Sequence, residues 1–290
     1  MLNNKWIAPA KINLFLYITG RKKNGYHLLQ TLYQFLNYGD ILTINSNFNG
    51  RIQLIHNYNF ISDEKNLIIR AAHLLKNFVM QKNKNTLTSL LGANISLKKV
   101  IPIGGGLGGG SSNAATVLIA LNKQWKLNLN LNILANIGLK LGADVPFFIR
   151  GKSAFAEGIG DCLLPIFPKE KWYIITVPPI NISTADIFND PNLKRNSPRL
   201  SLLKLLVMPF KNDCELIVRK RFVIVDKHIS WLLKHIPSSR LTGTGSCILS
   251  EFDTEDDARK ILSLFPNWMY GFIAKSTNIS PLHKKFLIDY

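Results

Sequence analysis

Acidic residues are scarce in this chain of 290 residues: 18 Asp and Glu stand against 36 Lys and Arg, a formal net charge of +18. Such an excess suits a polyanionic partner, but the basic residues are scattered, and the densest clusters, Arg21-Lys22-Lys23 and Arg219-Lys220-Arg221, are short. Asn and Ile are also abundant, so a composition-wide drift toward Lys, Asn and Ile accounts for the charge without a nucleic-acid partner, and none is expected. Cysteine is rare. Cys162, Cys214 and Cys247 are far apart and form no CxxC pair, which argues against a disulfide framework or a zinc site and for reduced thiols. Long apolar runs are missing, so no membrane-spanning helix is expected. Met1 to Lys11 holds no apolar segment of the secretory kind, and a cytoplasmic location is the expectation. No repeat or flexible linker stands out, and the only low-complexity patch is Lys126 to Asn132.

What is present is a globular chain. Hydrophobic residues make up 47%, enough for a core, and the length suits one large domain or two ordinary ones. Ile7 to Tyr17 reads as a strand, Gly20 to Gly25 as a basic turn, and Leu28 to Leu36 as mixed. Ile41 to Ile44 and Ile52 to Ile55 alternate apolar and polar residues and read as strands paired with each other. Apolar spacing predicts helices over Asn66 to Val79, Ser112 to Trp125, and Leu131 to Leu141, the last ending at Gly142. Asn94 to Val100 and Trp172 to Val177 read as strands. The last third mixes helices (Cys214 to Arg221, Val225 to His235, Asp256 to Leu264) with strands (Cys247 to Phe252, Gly271 to Lys275). Hairpin-like strands interleaved with helices favour an α+β fold. A domain boundary is expected in the turn Gly158 to Asp161, dividing 1–160 from 161–290.

The strongest local signal is Pro102-Ile-Gly-Gly-Gly-Leu-Gly-Gly-Gly-Ser-Ser-Asn113, between a strand and a helix. Six glycines in seven positions cost backbone entropy, which a chain tolerates where the backbone takes positive φ or closely approaches a ligand. The candidate anion cradle is the loop backbone from Pro102 and Ile103 through Gly104, Gly105, Gly106, Leu107, Gly108, Gly109 and Gly110 to Ser111 and Ser112. Its amides and the following helix start would face the anion, with Ser111, Ser112 and Asn113 as caps or donors. The Walker A loop is excluded, because no Lys follows the glycines. Gly104-x-Gly106-x-x-Gly109 satisfies the dinucleotide pattern, but from Ser111 through Ala143 there is no Asp or Glu to hold a ribose. Protein-kinase segments are absent.

Asp144, in Leu141-Gly-Ala-Asp-Val-Pro146, is the first acid after the loop. Phosphoryl transfer to an alcohol needs a carboxylate to orient the hydroxyl and accept its proton. A turn aspartate bonding its own backbone satisfies the same local pattern. Lys11 and Asn13 share one face of the first strand, and a lysine there suits either a catalytic carboxylate or open solvent. Leu241-Thr-Gly-Thr-Gly-Ser-Cys247 is a second glycine turn that decides nothing alone.

Together the segments Pro9 to Leu14, Pro102 to Ser112 and Leu241 to Cys247 resemble the three motifs of the GHMP kinase superfamily, in order and separation, over nearly the whole chain. Pro9 to Leu16 followed by Gly25-Tyr-His-Leu28, with Leu141 to Pro146, resembles the diphosphocytidyl-methylerythritol kinases within it. The resemblance implies ATP- and Mg²⁺-dependent phosphorylation of the 2-hydroxyl of 4-(cytidine 5′-diphospho)-2-C-methyl-D-erythritol in non-mevalonate isoprenoid synthesis. It also implies a nucleotide-binding half similar to the second domain of ribosomal protein S5 and a ferredoxin-like C-terminal half, with the site between. It makes Asp144 the catalytic base and Lys11 its cationic partner, with Asn13 placing the substrate. Tyr26 and His27 would hold the cytosine, one by stacking and one by hydrogen bonding, with Phe188 as the opposite stacking face. Asn66 and Lys98 or Lys99 would lie near adenine. Thr184 and the turn Thr242 to Ser246 would approach from the second half. Ser112 is a candidate Mg²⁺ ligand. Asp161 stands where many relatives carry Glu.

Overall fold

The computed structural model describes residues 4–55, 65–82 and 86–286. Two long strands, β1 (Lys5–Arg21) and β2 (His27–Asn47), form an antiparallel pair that the rest of the fold is built on. Both are rich in β-branched and aromatic residues, which favour a pleated, half-buried surface. The stretch 28–36, which looked mixed, is continuous strand, because β2 finds hydrogen-bonding partners along its length: β1, β4 (Gly92–Lys98), β5 (Ala154–Glu157) and β10 (Gly271–Thr277). The short β3 (Ile52–Leu54) does not pair with residues 41–44, as alternation suggested. It lies parallel to β4, which sits between them. Alternation sets which face a strand buries, not its neighbour.

The turn expected at the domain boundary, 158–161, joins β5 to β6 (Cys162–Pro165) in one antiparallel hairpin. The sheet continues from β10 to β7 (Trp172–Thr176), β9 (Ile248–Phe252) and β8 (Arg240–Leu241).

Helices α1 (Leu67–Lys82), α2 (Thr86–Ser89), α3 (Gly109–Gln124), α4 (Leu131–Leu139) and α5 (Val145–Arg150) belong to the first half. The central one, α3, is buried along ten successive residues from Ser112 to Leu121, and a single core unites it with α1, α4, α5, β2 and β4. The second half contributes α6 (Thr184–Phe188), α7 (Leu202–Val207), α8 (Glu215–Arg221), α9 (Val223–His235) and α10 (Glu255–Leu262), and α11 (Pro281–Phe286) returns to β1. A second core joins α6, α8 and α9 to the far end of β1, and a third lies between the two halves, around Phe15, Leu32, Tyr173 and Leu249. The strand β1 therefore threads all three cores.

His283 of α11 is fully buried, with Nε2 at 2.9 Å from the Ile149 carbonyl oxygen. Burial lowers its pKa from 6.5 to about 4. Between those values the unfolded chain binds a proton that the folded one refuses, so stability falls as pH drops, by up to ~3 kcal/mol from this group. His283→Asn should be less stable at pH 7 yet lose less stability between pH 6.5 and 4.5, as read by urea unfolding at both values.

Candidate active site

The register of β1 on β2 shifts between Pro9 and Lys11 and again between Asn13 and Leu16. Such irregularities re-aim side chains, and here they flank the segment that holds Lys11 and Asn13. Lys11 and Asn13 are both buried, and the Lys11 ammonium donates to Asn13 Oδ1 at 2.6 Å. Asn13 Nδ2 donates to Thr31 Oγ1 at 2.7 Å, and Thr31 donates to the Phe15 carbonyl at 2.6 Å. This buried polar chain is satisfied link by link, which holds each group in one orientation.

Asp144 immediately precedes α5, and its side chain makes no capping bond to that helix. It is instead shared between two groups from the β1–β2 pair. Lys11 Nζ lies 3.4 Å from Oδ2, and the Tyr33 hydroxyl donates to Oδ1 at 3.1 Å. Burial, reinforced by the neighbouring Asp144, pushes the Tyr33 phenol well above its ordinary 10. It therefore remains a hydrogen-bond donor throughout the physiological range.

The glycine loop closes the site from one side. Gly106 and Gly108 both have positive φ, 77° and 73°. A Cβ at Gly106 would run into the Thr242 carbonyl oxygen, and one at Gly108 would lie 2.8 Å from Phe148 Cζ and 3.0 Å from Lys11 Cγ. Gly108 is also the N-cap of α3 and has no side chain to offer, so the helix starts three residues before Ser112, the expected start. The two branched apolar residues of the loop behave oppositely. Leu107 is buried in the third core, and its carbonyl accepts from the Lys11 amide at 3.0 Å, which ties the loop to β1. Ile103 is exposed on the cavity wall. The Ser112 hydroxyl and Asn113 Oδ1 are buried without hydrogen-bond partners beside the start of α3. The Thr242 to Ser246 turn docks on the loop: Ser246 and Cys247 amides donate to the Gly104 and Gly105 carbonyls, each at 3.2 Å, and Thr242 Oγ1 accepts from the Asn13 amide at 2.9 Å.

A cavity of about 830 Å³ opens between these elements. It is lined by Lys11, Asn13, Asn66, Asp144, Thr184 and Phe188, and by the loop from Pro102 through Ser111, Ile103 and Leu107 included. Of the loop residues expected there, Ser112 lies behind the wall. Asn66 does double duty, since its Oδ1 also caps α1 by accepting from the Ile68 amide at 3.0 Å. Lys98 is exposed and not part of the wall, whereas Lys99 is. The strand β4 ends at Lys98, and Lys99 is the first residue beyond it. Lys99 is held by the buried Asp40 at 2.8 Å, and Asp40 also accepts from the Val100 and Ile101 amides, each at 2.8 Å. Among the described residues that line it, Asp144 is the only acid, against the cations Lys11, Lys65 and Lys99.

Thr184 Oγ1 meets Thr244 Oγ1 at 2.9 Å, joining α6 to the second glycine turn. His27 and Phe188, both expected at the cytosine, are stacked on each other with ring centroids 4.8 Å apart. Arg195 Nε donates to His27 Nε2 at 2.9 Å. Burial first, then Arg195 and Arg21, lower the His27 pKa. Tyr26 is exposed and lines a smaller neighbouring cavity with Lys22, Asn24 and Lys140, which shares Ala143 and Ile159 with the main one. Sequence reasoning missed Tyr33, Thr31, Asp40 and Arg195. Tyr33 and Thr31 alternate on β2, and that alternation was the available signal. Arg195 carries no local pattern.

Residues 66–152, which contain the glycine loop and Asp144, match the family model described as GHMP kinases N terminal domain. The whole chain is similar to a crystal structure of 4-(cytidine 5′-diphospho)-2C-methyl-D-erythritol kinase, at 26% identity and a TM-score of 0.78, covering 94% of this chain and 98% of that one. Mevalonate kinase of Methanococcus jannaschii is similar at 14% identity and a TM-score of 0.64, covering 94% of this chain and 98% of that one. Homoserine kinase from Cytophaga hutchinsonii follows at 17% and 0.62, covering 97% and 96%. The latter two likenesses concern the fold alone. A glycine loop lies inside the matched segment and opens onto a carboxylate paired with a lysine, and the chain is a small-molecule kinase whose residues 66–152 match a GHMP kinase N-terminal domain.

Proposed function

We propose that the chain transfers the γ-phosphoryl group of ATP to the 2-hydroxyl of 4-(cytidine 5′-diphospho)-2-C-methyl-D-erythritol. The observation that carries the phosphoryl-transfer chemistry is the Lys11–Asp144–Tyr33 cluster facing the glycine loop across one cavity. The choice of substrate is supported by the 26%-identical kinase that covers nearly the whole chain, and by the Gly25-Tyr-His-Leu28 segment beside the cavity.

ATP phosphates fit the loop on an observation of this molecule: the cradle from Gly104 to Gly110 has no room for side chains at its bends, and two buried polar atoms beside it, on Ser112 and Asn113, are unpartnered. Asn66 and Lys99 would lie along the nucleotide, with Ile103 offering an apolar surface at the same wall. No group of three or more His, Cys, Asp or Glu among the described residues could hold a metal ion. A nucleotide-borne Mg²⁺, with Ser111 on the cavity wall as its protein contact in place of the buried Ser112, is the arrangement the donors fit, and when bound it would neutralise phosphate charge. Asp144 would accept the proton of the substrate hydroxyl. Lys11 would hold that carboxylate on one side and draw the transferring group on the other, with Tyr33 fixing the second oxygen. Asn13, Thr184 and the Thr242 turn would position the alcohol. The cytosine would meet the edge of His27 and the exposed face of Phe188, with Tyr26 closing over it from the adjoining cavity. The division into a nucleotide-binding and a substrate-side unit would fall after Pro165, beyond the β5–β6 hairpin.

Asp144→Asn keeps the size of the side chain and removes the proton acceptor. Its kcat should fall ~10²–10⁴-fold, with ATP-analogue affinity and melting temperature nearly unchanged. Undiminished turnover would remove Asp144 from the chemistry. Lys11→Met should lower kcat more than it raises KM, because a cation acting on the transferring group works chiefly in the transition state.

A coupled ADP-release assay with Mg-ATP, comparing the cytidylated methylerythritol with mevalonate, homoserine and galactose, tests the substrate. Turnover of the first alone is expected. Activity with another alcohol would retain the chemistry and discard the cytosine pocket, and a folded protein that phosphorylates none of them but binds RNA with steep salt dependence would overturn the proposal.

A further inference from the structure

We propose that Arg195 is a positioning residue that fixes the tautomer of His27 and thereby makes the site select cytosine over uracil. This rests on the reading of the His27–Phe188 wall as the base site. The guanidinium has four fixed bonds. Nε donates to His27 Nε2 at 2.9 Å, one terminal nitrogen donates to the Leu193 carbonyl at 3.1 Å, and the other to the Phe188 and Asp190 carbonyls at 2.9 and 2.7 Å. It thus grips both members of the stacked pair at once, the imidazole by its ring nitrogen and the phenyl by its own backbone.

The chemistry follows from what each group can donate. Arg offers only N–H donors and accepts nothing. The ring nitrogen facing it must therefore be the unprotonated one, whichever way the imidazole is turned. In a neutral imidazole the single proton then sits on the other nitrogen, Nδ1. A doubly protonated ring would lose this bond and place a cation against a cation. Nδ1 has no hydrogen-bond partner among the described residues. The ring thus has one group left for a ligand, and that group is a donor. Cytosine presents an acceptor at N3, whereas uracil presents an N–H there. A fixed Nδ1–H pairs with the first and confronts the second, donor against donor. Without Arg195 the ring is free to adopt the other tautomer, whose Nδ1 accepts, and the preference is lost.

The test combines a spectroscopic and a binding measurement. Imidazole ¹⁵N NMR at pH 7.5, with the His27 signals assigned by their loss in His27→Gln, should show Nδ1 protonated and Nε2 bare in the native protein. Titration with CDP and with UDP, under a saturating non-hydrolysable ATP analogue, should favour CDP by ~10–100-fold, as expected when one base satisfies a buried donor and the other opposes it. Arg195→Met should show the Nε2–H tautomer and a CDP preference below ~3-fold, less than 1 kcal/mol by the usual conversion, with ATP-analogue affinity unchanged. Arg195→Lys, which keeps one donor, should recover part of the preference. An Nε2–H tautomer in the native protein overturns the proposal, even where Arg195→Met fails to fold. So does a folded Arg195→Met that keeps the full CDP preference. If CDP binds but the tautomer is the other one, the base site stands and only the role of Arg195 falls. If neither CDP nor UDP binds, the base site itself falls and takes this role with it.

Discussion

The close approach of two glycine turns is the constraint on which the site depends. Gly106 sits where any side chain would meet the Thr242 carbonyl, and Gly104 and Gly105 give their carbonyls to the amides of Ser246 and Cys247. One turn belongs to the half that holds α3, the other to the half that holds β8 and β9. Their contact fixes the distance between the loop that would hold phosphates and the surface that would hold the alcohol. In-line transfer tolerates little error in that distance, since a misplacement of about 1 Å can cost 10²-fold in rate. Asn212 braces the arrangement from behind, donating to the Leu241 and Gly243 carbonyls at 2.9 and 2.8 Å. The buried Leu107 anchors the loop from the other side, through the bond from the Lys11 amide to its carbonyl.

Around that contact the charges are unequal. Among the described residues, three lysines and a single carboxylate line the cavity. A site for two polyphosphate compounds gains from a positive surround, since fixed cations replace the water that an anion leaves behind. The lone acid is protected from simple neutralisation by geometry. Lys11 is tied to Asn13 as well as to Asp144, and the Asn13 bond is the shorter, 2.6 Å against 3.4 Å. The ammonium is therefore anchored by a neutral partner and stands beside the carboxylate. In the proposed reaction an alcohol proton would then reach Asp144 without first breaking a tight ion pair. Lys99 is treated in the opposite way: the buried Asp40 holds it at 2.8 Å together with two backbone amides, so it shapes the exit of β4 into the loop as much as it adds charge.

Much of this was legible in the sequence because the relevant residues are close together along the chain. A loop with six glycines in seven positions announces close backbone contact, and the interleaved helices and strands announce an α+β fold. In the sequence Asp144 suits either a reactive carboxylate or a turn aspartate, and in the fold its side chain makes no capping bond. What was illegible was long-range. Strand alternation cannot say that β4 inserts between β2 and β3, nor that the 158–161 turn closes a hairpin. Lys98 and Lys99 are equivalent as letters, but Lys98 closes β4 and Lys99 stands beyond its end, on the cavity wall. Tyr33 is one tyrosine among eight, and only its pairing across from Asn13 brings it to Asp144.

The polar residues of the site illustrate why local pattern under-reports function. Burial of Lys11, Asn13 and Thr31 is costly unless every donor is met, and the chain of bonds from Lys11 through Asn13 and Thr31 to the Phe15 carbonyl meets them within β1 and β2 alone. An apolar substitute at Thr31 would leave Asn13 Nδ2 without its acceptor and free Asn13 to turn, and Lys11 would lose the partner that holds it beside Asp144. Thr31 touches neither a phosphate nor a substrate in this arrangement, yet the position of the cation depends on it. The geometry around Lys11 and Asp144 is thus written in the pairing of β1 with β2 as firmly as in the glycine motifs, although Thr31 and Tyr33 of β2 belong to no motif.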